Sequence, residues 1–133
     1  MSSEAPKYLF ISFQEENKLL LARWLRNVTS EEYREGSTLL KELVREKQVA
    51  YWLMDSRRLS NVTFADQQWI KREIVPAVIS AGLQKFARVL TEDVFNYISF
   101  ENVMQQAIEA DNTPVEIAQF TSLEAALAWL NMD

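Results

Sequence analysis

Val49-Ala50-Tyr51-Trp52-Leu53-Met54, ended by Asp55, is the run from which the fold is read. A strand with one wet face alternates apolar and polar residues. Six apolar residues in a row instead suit a strand covered on both faces, which is the situation of a central strand in a parallel sheet. The run therefore predicts a buried middle strand with Trp52 enclosed, and helices on the sheet to cover it.

The flanking sequence supplies those helices. Thr29-Ser30-Glu31-Glu32 has the form of a capping box, and Tyr33, Gly36, Leu40, Leu43 and Val44 follow at helical spacing. Downstream, Thr63 with Asp66 marks a second helix start, and apolar positions continue from Phe64 toward Gly82, a natural stop, with Pro76 expected to kink the helix. Asn27-Val28-Thr29 and Asn61-Val62-Thr63 match a glycosylation acceptor pattern, but each threonine falls where a helix cap is needed.

Before these lie two aromatic and branched runs, Tyr8 to Phe13 and Leu19 to Trp24, joined by Glu15-Glu16-Asn17-Lys18 as a hairpin. After them come a strand over Lys85 to Leu90, a helix over Phe95 to Ala110, a strand over Val115 to Phe120 and a last helix capped by Thr121 with Glu124. The order ββαβαβαβα predicts one α/β domain over 1–133 with a mixed five-stranded sheet, residues 1–6 forming a flexible tail.

Composition narrows the chemistry. The 133 residues include no histidine and no cysteine, which removes the commonest general base, the thiolate nucleophile and the usual transition-metal ligands. With 19 acidic and 14 basic residues the net charge is −5, and the cations are scattered, against nucleic acid and anionic membranes as partners. No apolar run is long enough to cross a bilayer. The expectations are a cytoplasmic, non-enzymatic protein with no cofactor, no metal site and no catalytic residues. Asp66, Glu73, Glu92, Asp93 and Glu101 show no ligand spacing and read as solvated surface.

Two candidate surfaces remain. Asp55 ends the central strand and is followed by Ser56, Arg57, Arg58, Ser60 and Thr63 before the next helix. In open α/β sheets ligands gather at that edge, and two guanidinium groups beside a helix start suit an anionic group. The bland alternative has Asp55 capping a turn and the arginines pairing with surface carboxylates. The second surface is the surplus apolar area of the second helix, where Phe64, Trp69, Val75 and Ile79 fall outside the arc centred on Ile70 and Ile74. A homodimer contact, an apolar ligand or another element of the same chain would cover it.

The patches Trp52-Leu53-Met54-Asp55, Asp66-Gln67-Gln68-Trp69, Pro76, Ala81-Gly82-Leu83, Ala87 and Phe120-Thr121-Ser122-Leu123-Glu124-Ala125-Ala126-Leu127-Ala128-Trp129-Leu130 resemble the SpoIIAA-like, or STAS-like, family. The resemblance implies a STAS-type domain, a class that includes anti-sigma-factor antagonists and transporter tails, with a fold also likened to CRAL-TRIO lipid carriers. In the antagonists a serine at the helix start is phosphorylated by a partner kinase. Here the matching stretch, Ser60 to Asp66, lacks the glycines of that motif and has Thr63 nearest the serine position. The functional expectation is an interaction or regulatory domain for a protein partner, with carriage of a small apolar or lipid-like ligand as the alternative.

Overall fold

The apolar run forms β3, Tyr51–Asp55, third in a five-stranded sheet of order β1-β2-β3-β4-β5. The computed structural model describes residues 5–59, 62–91 and 115–132. β1 (Leu9–Gln14) pairs antiparallel with β2 (Leu19–Trp24), whereas β2, β3, β4 (Lys85–Val89) and β5 (Glu116–Phe120) run parallel. The mixed sheet and the buried central strand are as expected, with Trp52 only 6% exposed. The helix expected over Phe95 to Ala110 lies outside the described residues.

The strand expected from Val49 starts later and takes in Asp55: Val49 and Ala50 link the helix end to β3. Helix α1 (Ser30–Lys47) stops at Gln48, which adopts the left-handed conformation, and the N–H groups of Gln48 and Val49 both donate to Val44 O. At its other end Thr29 and Glu32 complete the capping box.

Period-two alternation along the strands sorts side chains into two cores. On one face Leu20, Trp52 and Phe86 share a register row and pack with Leu40 and Val44 of α1. On the other face Leu19, Leu53, Ala87 and Val89 pack against Ala126 and Leu130 of the C-terminal helix. That helix, Leu123–Leu130, is α4. Its cap is Ser122, whose hydroxyl accepts from the Ala125 N–H, and not Thr121.

The single kinked helix expected from Phe64 to Gly82 is two helices, α2 (Phe64–Glu73) and α3 (Val75–Ser80), broken at Ile74. Pro76 has no N–H to continue the α2 ladder but suits the first turn of a new helix. A face projected at 100° per residue therefore loses its phase at the break. Val75 and Ile79, expected outside the covered arc, are 2% and 6% exposed and belong to the monomer core. Gly82 ends α3 at φ +99°.

Asp66 is not surface. It is 3% exposed and accepts from Ser30 Oγ at 2.7 Å and Arg34 Nε at 2.8 Å, while its N–H donates to the Thr63 cap at 3.1 Å. Arg34 also lies over the Trp69 ring at 5.2 Å. One carboxylate thus ties the starts of α1 and α2 together.

Candidate functional site

Parallel strands leave their carboxyl ends along one edge, and β2 and β3 end there with Arg23 opposite Asp55 in register. The Asp55 side chain is 4% exposed. It accepts from Arg57 Nε at 3.0 Å, Arg57 Nη2 at 2.7 Å and the Arg57 backbone N–H at 3.2 Å, with Arg23 Nε 3.6 Å away. Burial pushes this carboxyl upward, but the hydrogen bonds from Arg57 and the nearby charges of Arg57 and Arg23 outweigh it and hold the group below its usual range. Asp55 is a fixed anion that orients arginines.

Arg58 donates to Leu25 O at 3.1 Å and completes an open cleft of about 290 Å³ with Arg23, Asp55 and Arg57. Three guanidinium groups against one carboxylate leave the cleft with surplus positive charge. Next to it, sharing Arg23 and Asp55, is an apolar hollow of about 60 Å³ formed by Phe10, Leu21 and Leu53 of the sheet and Leu123 and Leu127 of α4. Phe10 is 45% exposed beneath the Arg23 guanidinium.

On the opposite face of the sheet a second cavity, about 70 Å³, lies between the strands and helices α1 to α3. Ser56 turns to that side: it is buried, lines the cavity and is pinned by its N–H to Val89 O at 2.7 Å. Arg88, 4% exposed, is in the same wall and donates to Gln119 Oε1 at 3.2 Å. Burial lowers its affinity for its proton, partly offset by Tyr33.

A solved structure with the same arrangement is that of an uncharacterized protein of the DUF3478 family from Shewanella loihica PV-4, described as having a SpoIIAA-like fold. It is 18% identical, the match covers 98% of both chains, and the TM-score is 0.58. The chain has a SpoIIAA-like fold. No family model and no curated protein matches it. The resemblance read from the sequence patches holds at the level of fold.

The SpoIIAA-like sheet divides the expected loop between two sites. Asp55, Arg57 and Arg58 meet in the cleft, Ser56 joins the cavity, and Thr63 spends its hydroxyl as the α2 cap. Ser60 lies outside the described residues. Of the expected apolar surface, Val75 lines the cavity, Trp69 is half-buried and Phe64 stays 74% exposed. Sequence reasoning passed over Arg23 and Arg88. The available signal was a charge inside each apolar strand run: Arg23 sits on the face of Leu19 and Leu21, and Arg88 on the face of Phe86. Among the described residues no group of His, Cys, Asp or Glu side chains is arranged to hold a metal ion, and no helix is long and apolar enough to cross a membrane.

Proposed function

We propose that this chain is a non-enzymatic interaction domain that receives an anionic side chain of a protein partner in the Arg23–Arg57–Arg58 cleft. The partner group is a carboxylate or a phosphorylated residue, and an apolar side chain beside it occupies the hollow over Leu21 and Leu53. The observation that carries this reading is the cleft itself: Arg23 and Arg57 beside the buried Asp55 carboxylate, with Arg58 completing the lining, open to solvent and contiguous with an apolar hollow. Guanidinium forks match carboxylate and phosphate geometry, and a charge beside an apolar contact is how a short segment is recognised with both orientation and affinity.

The absence of catalysis is supported by the state of the buried acids. Proton transfer near neutral pH needs a group that titrates there. Asp55 and Asp66 are held ionised by their arginine and hydroxyl partners, and the chain offers no imidazole or thiol.

A peptide carrying phosphoserine next to leucine is the probe, titrated into isotope-labelled protein. The expected resonance shifts fall on Arg23, Arg57, Arg58 and Leu123, weaken with salt, and disappear in the Arg23→Gln, Arg58→Gln variant. That pair spares Arg57, the chief partner of Asp55. Shifts elsewhere on the surface, or shifts that persist in the double variant, would remove the cleft from the interaction.

A further inference from the structure

The donors and charges of the cleft narrow its anion to one class. Resting on the partner-binding reading above, we propose that the anion is a phosphomonoester on the partner's side chain, and that a carboxylate in its place binds much more weakly. The donors are unevenly spent. A guanidinium carries five N–H donors. Asp55 engages Arg57 through Nε, Nη2 and the backbone N–H, which commits one edge of that fork and leaves Nη1 uncommitted among the described residues. Arg58 gives one donor to Leu25 O. Arg23 Nε stands 3.6 Å from Asp55 Oδ2, near enough for charge attraction and too far for a hydrogen bond. Its guanidinium lies over the Phe10 ring, a contact that uses the flat face of the group and not its N–H edges. Most donors of the three arginines are thus left for a ligand.

Charge makes the choice between ligands. Three guanidinium groups line the cleft against the single carboxylate of Asp55, a surplus of two positive charges. Among the described residues Arg58 pairs with no carboxylate. A carboxylate ligand brings one charge and two oxygens, whereas a phosphomonoester brings a charge of about −1.5 to −2 at neutral pH and three strong acceptor oxygens. The phosphoryl group matches both the surplus charge and the donors. Desolvation penalises a dianion in a closed cavity, but Arg23 and Arg57 are 43% and 41% exposed and the cleft, about 290 Å³, is open to water. Asp55 repels any anion, yet its side chain is only 4% exposed and is bonded to the Arg57 fork.

The contrast has a pH signature that belongs to the ligand. The charged groups of the cleft are Arg23 on β2, Asp55 on β3 and Arg57 and Arg58 in the loop that follows. Burial raises Asp55, but hydrogen bonds from Arg57 and the charges of Arg57 and Arg23 hold it below the usual carboxylate range, and the chain has no histidine or cysteine. Between about pH 5 and 7.5 the cleft therefore keeps one charge while phosphoserine, with its second pKa at about 6, passes from monoanion to dianion. Glutamate is already ionised throughout that interval.

Two peptides that differ only in phosphoserine or glutamate beside leucine are titrated into the isotope-labelled full chain, following the resonances of Arg23, Arg57 and Arg58. At about pH 7.5 the phosphopeptide is expected to bind roughly tenfold more tightly, and at about pH 5 the preference is expected to fall to about threefold or less. Arg58→Gln, at an exposed position, is expected to weaken the phosphopeptide more than the glutamate peptide. Equal affinities at the higher pH, or a preference that does not change with pH, with shifts still on the three arginines, overturns the phosphate assignment and leaves the cleft a general anion site. No shift on those arginines with either peptide overturns the cleft reading itself. O-phosphoserine alone is expected to bind more weakly than the phosphopeptide, because it lacks the leucine for the hollow; equal affinity would overturn a protein partner as the source of the phosphate.

Discussion

Asp55 is buried at a sheet edge and surrounded by arginines that are themselves about 40% exposed. Removing its charge therefore costs the hydrogen bonds without burying an unpaired cation. Asp55→Asn is expected to lose about 2 kcal/mol of stability, the usual worth of hydrogen bonds to a charged group, as read by urea denaturation. A loss below a few tenths of a kcal/mol would make the Arg57 contacts a surface ornament. The pH dependence follows from the same residues. Asp55 and Asp66 are lowered in the folded state, so their stabilisation is complete above the unfolded carboxylate value of about 4 and drains away as pH falls below it. Tyr33, stacked on Trp24 at 5.4 Å, has its hydroxyl pushed up to about 12 by burial, opposed by Arg88 and reinforced by Asp66. It gives the opposite sign: its contribution is present below the unfolded value of about 10 and is lost as pH rises toward 12. With no histidine, stability between about pH 5 and 8 should be nearly flat. A denaturation series with a pronounced slope in that interval would contradict this assignment.

Helix α1 reaches the sheet through Gly36. A Cβ there would stand 2.8 Å from Cη2 and 3.0 Å from Cζ3 of Trp24, and 3.3 Å from Cε1 of Tyr8. Trp24 has nowhere to retreat, because it is stacked between Tyr8 and Tyr33 and is 2% exposed. Gly36→Ala is thus expected to destabilise by about 1–3 kcal/mol through overpacking, even though alanine is the better helix former. A stabilised variant would mean that α1 slides freely on the sheet. The caps obey simpler rules. Thr29→Ala and Thr63→Ala should each cost about 1 kcal/mol, and the Thr63 change should also disturb the Ser30–Arg34–Asp66 junction, visible as faster amide exchange at the start of α2.

At the level of the whole molecule the question is how much apolar surface the monomer leaves uncovered. Ile79 is enclosed, so Ile79→Glu should lose about 3 kcal/mol or more by burying an unpaired charge, and it reports on folding rather than on association. Phe64, 74% exposed on the first turn of α2, is the large apolar side chain that a homodimer contact on this helix would cover, with the half-buried Trp69 on the same helix. Phe64→Ser should leave the melting temperature almost unchanged while lowering the sedimentation coefficient of any such dimer. Wild-type protein that already sediments as a monomer at micromolar concentration would dispose of the homodimer.

What could be read along the chain were the features whose causes are local. The unbroken apolar run of Val49 to Met54 announced a central strand, because no face of it could be left to water, although its bounds shifted to Tyr51–Asp55. Thr29 and Thr63 announced helix starts, because a cap needs only the next three residues. Features that depend on which strand lies beside which were decided by the folded sheet. Arg23 and Asp55 are 32 positions apart by their numbers and meet only through the β2–β3 register. Asp66, read as solvated, became a buried junction because α1 brings Ser30 and Arg34 to it. Val75 and Ile79 changed from surplus surface to core because one break at Ile74 resets the helical phase. Burial and charge pairing are properties of neighbours in space, and a chain read in order shows neighbours only along itself.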